Sequence, residues 1–241
     1  MKGIINHLKE NGIRHAFETL VVVVGVLGAY SLNNWNESRK IRKDEAYYLY
    51  QMRGALEGDI KLLESEIALT QNKVIKCEHF INELNTPGDV SSFNSAFLEF
   101  VDAVNVPRFQ PNTSTFDELQ STGKLSIFNN KELINQIVQL YNSYDFLLLQ
   151  LKIEVDFLIV TDIGFFINGG MGKYKNPPYQ LFKNYLDDEM IYELKTQKEF
   201  LENNAMNHYW SGIGIMKEFE PVLNNAQHVL NLINEEIRNH Q

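Results

Sequence analysis

Gly169-Gly170-Met171-Gly172-Lys173 brings together the residue types of a phosphate loop. Such a loop follows a strand, and a Ser or Thr after the lysine binds magnesium. Here a helix-patterned apolar run comes first, and Tyr174 stands after the lysine, so a glycine-rich helix C-terminus explains the residues better. Trp210-Ser211-Gly212-Ile213-Gly214 sets a serine among glycines but lacks the flanks of a nucleophile elbow. The 6 histidines show no metal-binding i, i+4 pair and no HExxH. His79, close to Cys77 and Glu78, reads as part of a half-exposed helix rather than a metal site. Asp145, Glu154, Asp156 and Asp162 could line an interior, but helical spacing spreads them over several faces. Asn112-Thr113-Ser114 matches a glycosylation sequon, a match that chance supplies readily. The sequence therefore indicates no catalytic residues, no metal ligands and no cofactor, and an enzyme is the least favoured function.

The residues with a defined physical role lie near the N-terminus. Thr19 to Leu32 carries no charge and is dominated by Leu20, Val21 to Val24, Val26 and Leu27. That run alone is short against the roughly 20 residues needed to cross a bilayer core. Ala16 and Phe17 lengthen it on one side, and Trp35, a residue type favoured at membrane interfaces, on the other. Glu18 is the one acid at its edge. A charge at the bilayer centre costs about 2.5 kcal/mol or more, and less near an interface. Arg14, four residues earlier, is placed to offset it. At about 100° per residue, Glu18, Gly25, Ala29 and Asn36 fall on one line. Gly25 and Ala29 form a small-xxx-small pair that allows close approach of a second helix. This stripe is the expected helix contact, with a copy of the chain or another protein. Arg14, Trp35, Arg39 and Lys40 are the expected membrane-interface residues, with lipid as their partner. The rival readings are a buried core helix and a cleaved signal peptide, the latter favoured by Ala29-Tyr30-Ser31. Asn33 to Glu37 continues in helix-compatible fashion, which suits an anchor that stays attached.

The elements that would position these residues are helical throughout. Residues 1–12 read as a tail with a short interfacial helix ahead of Asn11-Gly12, 13–36 as the transmembrane anchor, and 37–241 as a helical extramembrane domain. Beyond the basic cluster Arg39, Lys40, Arg42 and Lys43, apolar residues recur in steps of three and four. Leu49, Met52, Leu56, Ile60, Leu63 and Ile67 lead to Val74, Cys77, Ile81 and Leu84. That narrow seam predicts coiled-coil-like packing and one rod running from the anchor to about Leu84. Thr86-Pro87-Gly88-Asp89 reads as a turn, and Phe93 to Val104 as a short amphipathic helix. Thr115-x-x-Glu118 and Asn129-x-x-Glu132 read as capping boxes. The second opens a helix from Lys131 to Ile167, expected as the buried centre of a bundle. Asn168 to Pro178 reads as a break, and Leu181 to Tyr185 as a helical turn. Met190 to Leu201 reads as one helix, and Pro221 breaks, kinks or opens the last one. The net charge of −9, without a basic block outside the membrane flank, argues against nucleic acid as a partner. A single cysteine excludes an internal disulfide framework.

ETLVVVVGVLGAYSLNNWNESRK resembles the opening of an uncharacterised single-pass membrane family of Bacteroidota, a domain of unknown function. The shared residues are Glu18, Gly25 and Asn33-Asn34-Trp35-Asn36-Glu37, with Arg39 and Lys40. TSTFDELQSTGKLSIFNNKELINQIVQLYNSY is similar to that family's central motif, with Phe116, Leu119, Gly123 and the Leu133 to Tyr141 helix. The resemblance implies a helical extramembrane domain, and it carries no catalytic residues. It also implies N-inside topology, because relatives have a more basic tail. The flanking charges alone (Lys2, Lys9 and Arg14 against Arg39, Lys40, Arg42 and Lys43) lean slightly the other way until the free amino terminus is added. The reading is thus an all-α protein in which a single transmembrane helix continues into an elongated helical bundle. Its expected function is a scaffold or interaction subunit of an inner-membrane complex, with the body in the periplasm. The alternative is a periplasmic sensor that binds a small ligand and signals through the membrane helix to a partner.

Overall fold

A computed structural model describes the backbone of residues 2–86, 90–104, 106–168 and 188–239. Side chains are described from Phe17 onward within those stretches, apart from 163, 165–168, 188 and 190. The described elements are helices, with no strand among them: α1 (Lys2–Asn85), α2 (Val90–Ala103), α3 (Ser114–Ser121), a 3-10 turn (Lys124–Ile127), α4 (Lys131–Asn168), α5 (Asp188–Lys195) and α6 (Lys198–Asn239). This is the all-α architecture expected from the apolar spacing.

α1 has 84 residues, which at about 1.5 Å each makes a rod of roughly 125 Å. It carries the anchor sequence into the body without a break. No separate interfacial helix stands at its start: the helix passes through Asn11-Gly12. From Phe17 to Lys43 every side chain is exposed, and burial begins at Glu45. Beyond that point the seam packs. Leu49, Leu56, Leu63, Cys77 and Phe80 are sealed from solvent or nearly so. Each large aliphatic side chain so buried contributes about 1.5–3 kcal/mol.

α6 runs antiparallel to α1. Asn85 Nδ2 donates to Glu202 Oε1 at 2.8 Å near one end, and Ile233 and Ile237 share a core with Tyr48 and Leu49 at the other. α4 runs parallel to α1: Asn130 Nδ2 donates to Glu236 Oε2 at 2.8 Å at its start, and Asp162 reaches His208 near its end. The second antiparallel layer is irregular. From Val106 to Thr113 the chain is a strap without regular secondary structure that descends along α1 and leads through α3 and the 3-10 turn to α4. A strap leaves backbone N–H groups without helical partners. Acids on α1 supply acceptors. Arg108 N–H donates to Glu66 Oε2 (3.0 Å), Asn112 N–H to Asp59 Oδ1 (2.9 Å) and Asn129 N–H to Glu45 Oε1 (2.9 Å). This is why Glu45 and Asp59 are buried. Burial raises the Asp59 pKa, and the Asn112 N–H opposes the rise.

Two apolar clusters result. The one nearer the exposed apolar run of α1 joins α1, α4 and α6 with Phe109, Phe116, Leu119 and Phe128, and Phe116 stacks on Tyr141 at 4.2 Å. The distal one joins Phe80 to Phe93, Phe97 and Phe100 of α2, with Ile191, Leu194 and Leu201. The motif residues now have packing roles. Leu119 is fully buried, and Gly123, at φ 70°, takes the left-handed conformation that ends α3.

Several local expectations need correction. α3 starts at Ser114, one residue before Thr115. Asn112 Oδ1 accepts from Ser114 N–H (3.3 Å) and Ser114 Oγ (2.6 Å). The second cap is Asn130, whose Oδ1 accepts from Leu133 N–H at 3.0 Å, while Asn129 is held by Glu45. Met190 to Leu201 is two helices, interrupted at Thr196-Gln197. Pro221 lies inside α6, which continues through it. Pro221 is exposed, so water can satisfy the acceptor that its missing N–H leaves. α4 is not buried all round: Phe146, Leu149, Ile153 and Phe157 are about half exposed. Most of Thr86-Pro87-Gly88-Asp89, the Gly169–Lys173 run and the Leu181–Tyr185 turn lie outside the described residues.

Candidate functional site

Between the two apolar clusters lies a buried polar layer. α1 contributes Thr70 and Lys73, α4 contributes Asp162, and α6 contributes Asn204, His208 and Ser211. His208 is fully buried, and its Nε2 lies 2.7 Å from Asp162 Oδ1. With the carboxylate accepting, Nε2 carries the proton. The His208 ring also meets Phe100 edge-on at 6.1 Å. Burial pulls the Lys73 pKa down, against the opposing pull of Cys77, Glu154 and Asp162. The same burial pushes the Cys77 thiol up to about 12, so the thiol stays protonated and inert at neutral pH.

Serine, histidine and aspartate meet here without forming a catalytic triad. Ser211 Oγ and His208 Nδ1 both lack hydrogen-bond partners, so they are not bonded to each other. Asp162 instead occupies the Nε2 side of the ring. A cleft of about 420 Å³, lined by Glu66, Leu69, Val104, Val106, Arg108 and Asp162, reaches the layer through that carboxylate. Among the described residues no group of three or more His, Cys, Asp or Glu side chains is placed to hold a metal. His79 lies 3.5 Å from Glu99 on the surface of α2.

A one-turn slip of α6 along α1 would leave Lys73 and His208 against apolar side chains, and an uncompensated buried charge costs about 3–5 kcal/mol. Gly212 lets α6 approach α1 closely here. A Cβ there would lie 2.6 Å from Val74 Cγ2. Sequence reading passed over this layer because its members are far apart in the chain. A signal was present: Thr70 and Lys73 fill the seam steps between Ile67 and Cys77, and His208 the step between Ala205 and Gly212.

The expected membrane residues lie elsewhere, along the exposed half of α1. Among the described residues one helix, α1, is long and apolar enough to cross a membrane, and none of its apolar window is buried. Glu18, Gly25, Ala29 and Asn36 are all exposed, and nothing lies within 4 Å of a Cβ built on Gly25. At about 100° per residue their line falls roughly opposite the seam of Leu49, Met52 and Leu56. A helix docking on that line would meet α1 on the side away from α6. Trp35 is 58% exposed, and the Arg39 guanidinium sits 5.7 Å from its ring centroid. Lys40 is exposed, while the side chain of Arg14 lies outside the described residues.

Comparison with curated proteins and with solved structures returns no match. A family model matches residues 18–156, from Glu18 through α2, the strap and α3 into the middle of α4. That is more than half of the chain, and it contains the expected anchor motif, the strap and the acids Glu45, Asp59 and Glu66. The chain belongs to the family of unknown function DUF6090.

Proposed function

We propose that the protein is an interaction subunit held at the inner membrane by α1, with its helical body in the periplasm. The carrying observation is the continuity of α1. One helix holds both the exposed apolar run and the seam on which the body is built. Anchor and body therefore move as one piece, and the body stands on a stem rather than a flexible linker. The exposed stripe on the anchor and the half-exposed apolar face of α4 offer surfaces for protein partners. The test is purification of the full chain in detergent. A stable complex with another protein supports the subunit reading, and a chain that remains alone in mild detergent counts against it. Orientation is tested with Ser91→Cys in a Cys77→Ser background, probed with a membrane-impermeant thiol reagent after the outer membrane is permeabilised. Labelling only after lysis of the inner membrane would put the body in the cytoplasm.

A sensor is the second reading, and the cleft favours it. Glu66, Arg108 and Asp162 face a space beside α1, and Asp162 is bonded to His208 on α6. A small polar ligand there would act on the pairing of the two longest helices, one of which reaches the membrane. A ligand-induced rise in unfolding temperature, lost in Arg108→Ala, would support it.

A further inference from the structure

α4 is apolar on two opposite faces. Its inner face, with Leu140, Tyr144, Leu147 and Leu158, belongs to the body. On the outer face Phe146 is 56% exposed, Leu149 55%, Ile153 56%, Phe157 48% and Val160 71%. Steps of three and four set these five within about 40° of one line, directly opposite the inner face. Single exposed apolar residues are ordinary, but a contiguous stripe marks a contact surface. A helix that is apolar on opposite sides is covered on both in its working state.

We propose that a second copy of the same chain covers this stripe, packing α4 against α4 in parallel about a two-fold axis along the membrane normal. The proposal rests on α1 being a membrane anchor. α4 runs parallel to α1, so two copies in one membrane present α4 in the same direction and at the same height. A two-fold axis then sets each stripe residue against its own counterpart, with Ile153 on Ile153 at the centre. The flanks suit this arrangement. Lys152 lies about 100° to one side of the stripe and Glu154 about 100° to the other. The two-fold brings the lysine flank of one copy to the glutamate flank of its partner, two residues apart in height. The stripe supplies the apolar centre of such an interface. A large aromatic side chain buries about 150–250 Å². Phe146 and Phe157, about half exposed, thus offer roughly 200 Å² per copy, Leu149, Ile153 and Val160 add to this, and the polar rim extends it toward the ~1,200 Å² total of a stable interface. The Gly25–Ala29 line lies on a different helix and stays open to another neighbour.

The test uses the full chain in its membrane, with Ile153→Cys introduced in a Cys77→Ser background. Mild oxidation should give a disulfide-linked dimer, and Ser65→Cys on the exposed side of α1 should give none. Phe146→Glu combined with Val160→Glu should lower the linked fraction of Ile153→Cys about tenfold, a loss of about 1.4 kcal/mol. Both positions are exposed, so circular dichroism of that variant should stay helical. A product of any other mass, or a folded monomer, would overturn the proposal. Extraction with alkaline carbonate separates this failure from that of the underlying reading. A chain retained in the membrane but monomeric refutes only the dimer, while a chain released by carbonate refutes the anchor as well.

Discussion

Gly212→Ala should destabilise the protein, although alanine is the better helix former. The built Cβ lies 2.6 Å from Val74 Cγ2, and 3.6 Å from both Lys73 Cε and Thr70 Cγ2. Val74 is only 9% exposed, and a β-branched side chain in a helix has essentially one χ1 rotamer. The helices must therefore separate locally, which for one extra methyl costs about 1–3 kcal/mol. The gain in helix propensity returns about 1 kcal/mol. The expected net loss is about 1 kcal/mol, which at this size lowers the unfolding midpoint by about 2–4 °C. Gly214 is the internal control. It sits two residues along the same helix, and a Cβ there meets nothing within 4 Å. Gly214→Ala should stabilise by about 0.5–1 kcal/mol. Adding Val74→Ala to Gly212→Ala should remove the clash, so the two losses should fail to add, with a coupling of about 1 kcal/mol. The assay is thermal unfolding of the detergent-solubilised chain by circular dichroism. If Gly212→Ala proves as stable as Gly214→Ala, α6 does not approach α1 at this point.

Asp59 titrates with a raised pKa in the folded chain, so its contribution falls as pH rises from the ordinary value of 3.8 through the folded one. Asp59→Asn keeps an oxygen to accept the Asn112 N–H and removes the buried charge. Relative to wild type, the variant should be more stable near pH 7 than near pH 3 in urea titrations, and equal differences at the two pH values would refute this. Cys77 is fully buried with its thiol pushed up to about 12, so it should resist maleimide in the folded chain and react on unfolding. Fast labelling of native protein would contradict that. Gly25→Leu and Ala29→Leu should each abolish association of residues 12–37 in a membrane reporter assay, and an unchanged signal from an inserted helix would reduce the stripe to coincidence. Residues 37–241 should remain soluble and predominantly helical without the anchor, which circular dichroism of that fragment checks; a coil spectrum would show that the body depends on the membrane.

The sequence by itself determined what is local. The uncharged run from Thr19 to Leu32, the steps of three and four after Leu49 and the lack of proline before Pro87 specify α1 as one rod that passes from an apolar segment into a seam. The apolar run after Lys131 likewise specifies α4, which ends at Asn168, close to the expected Ile167. These features are properties of a single helix, and the 3.6-residue period shows them directly. The tertiary structure decided everything that depends on which helix faces which. Glu45, Asp59 and Glu66 look like ordinary surface acids of α1 until the strap and the turn before α4 bring unpaired N–H groups to them. Lys73, Asp162 and His208 are polar residues on three helices until antiparallel pairing makes them one layer. Gly54, Gly58 and Gly212 are alike as letters, yet only at Gly212 does a neighbouring side chain stand in the way of a Cβ. The burial of α4 is likewise not legible in its composition. Composition reports that a helix is apolar, but only packing shows that its outer face stays about half exposed among the described residues.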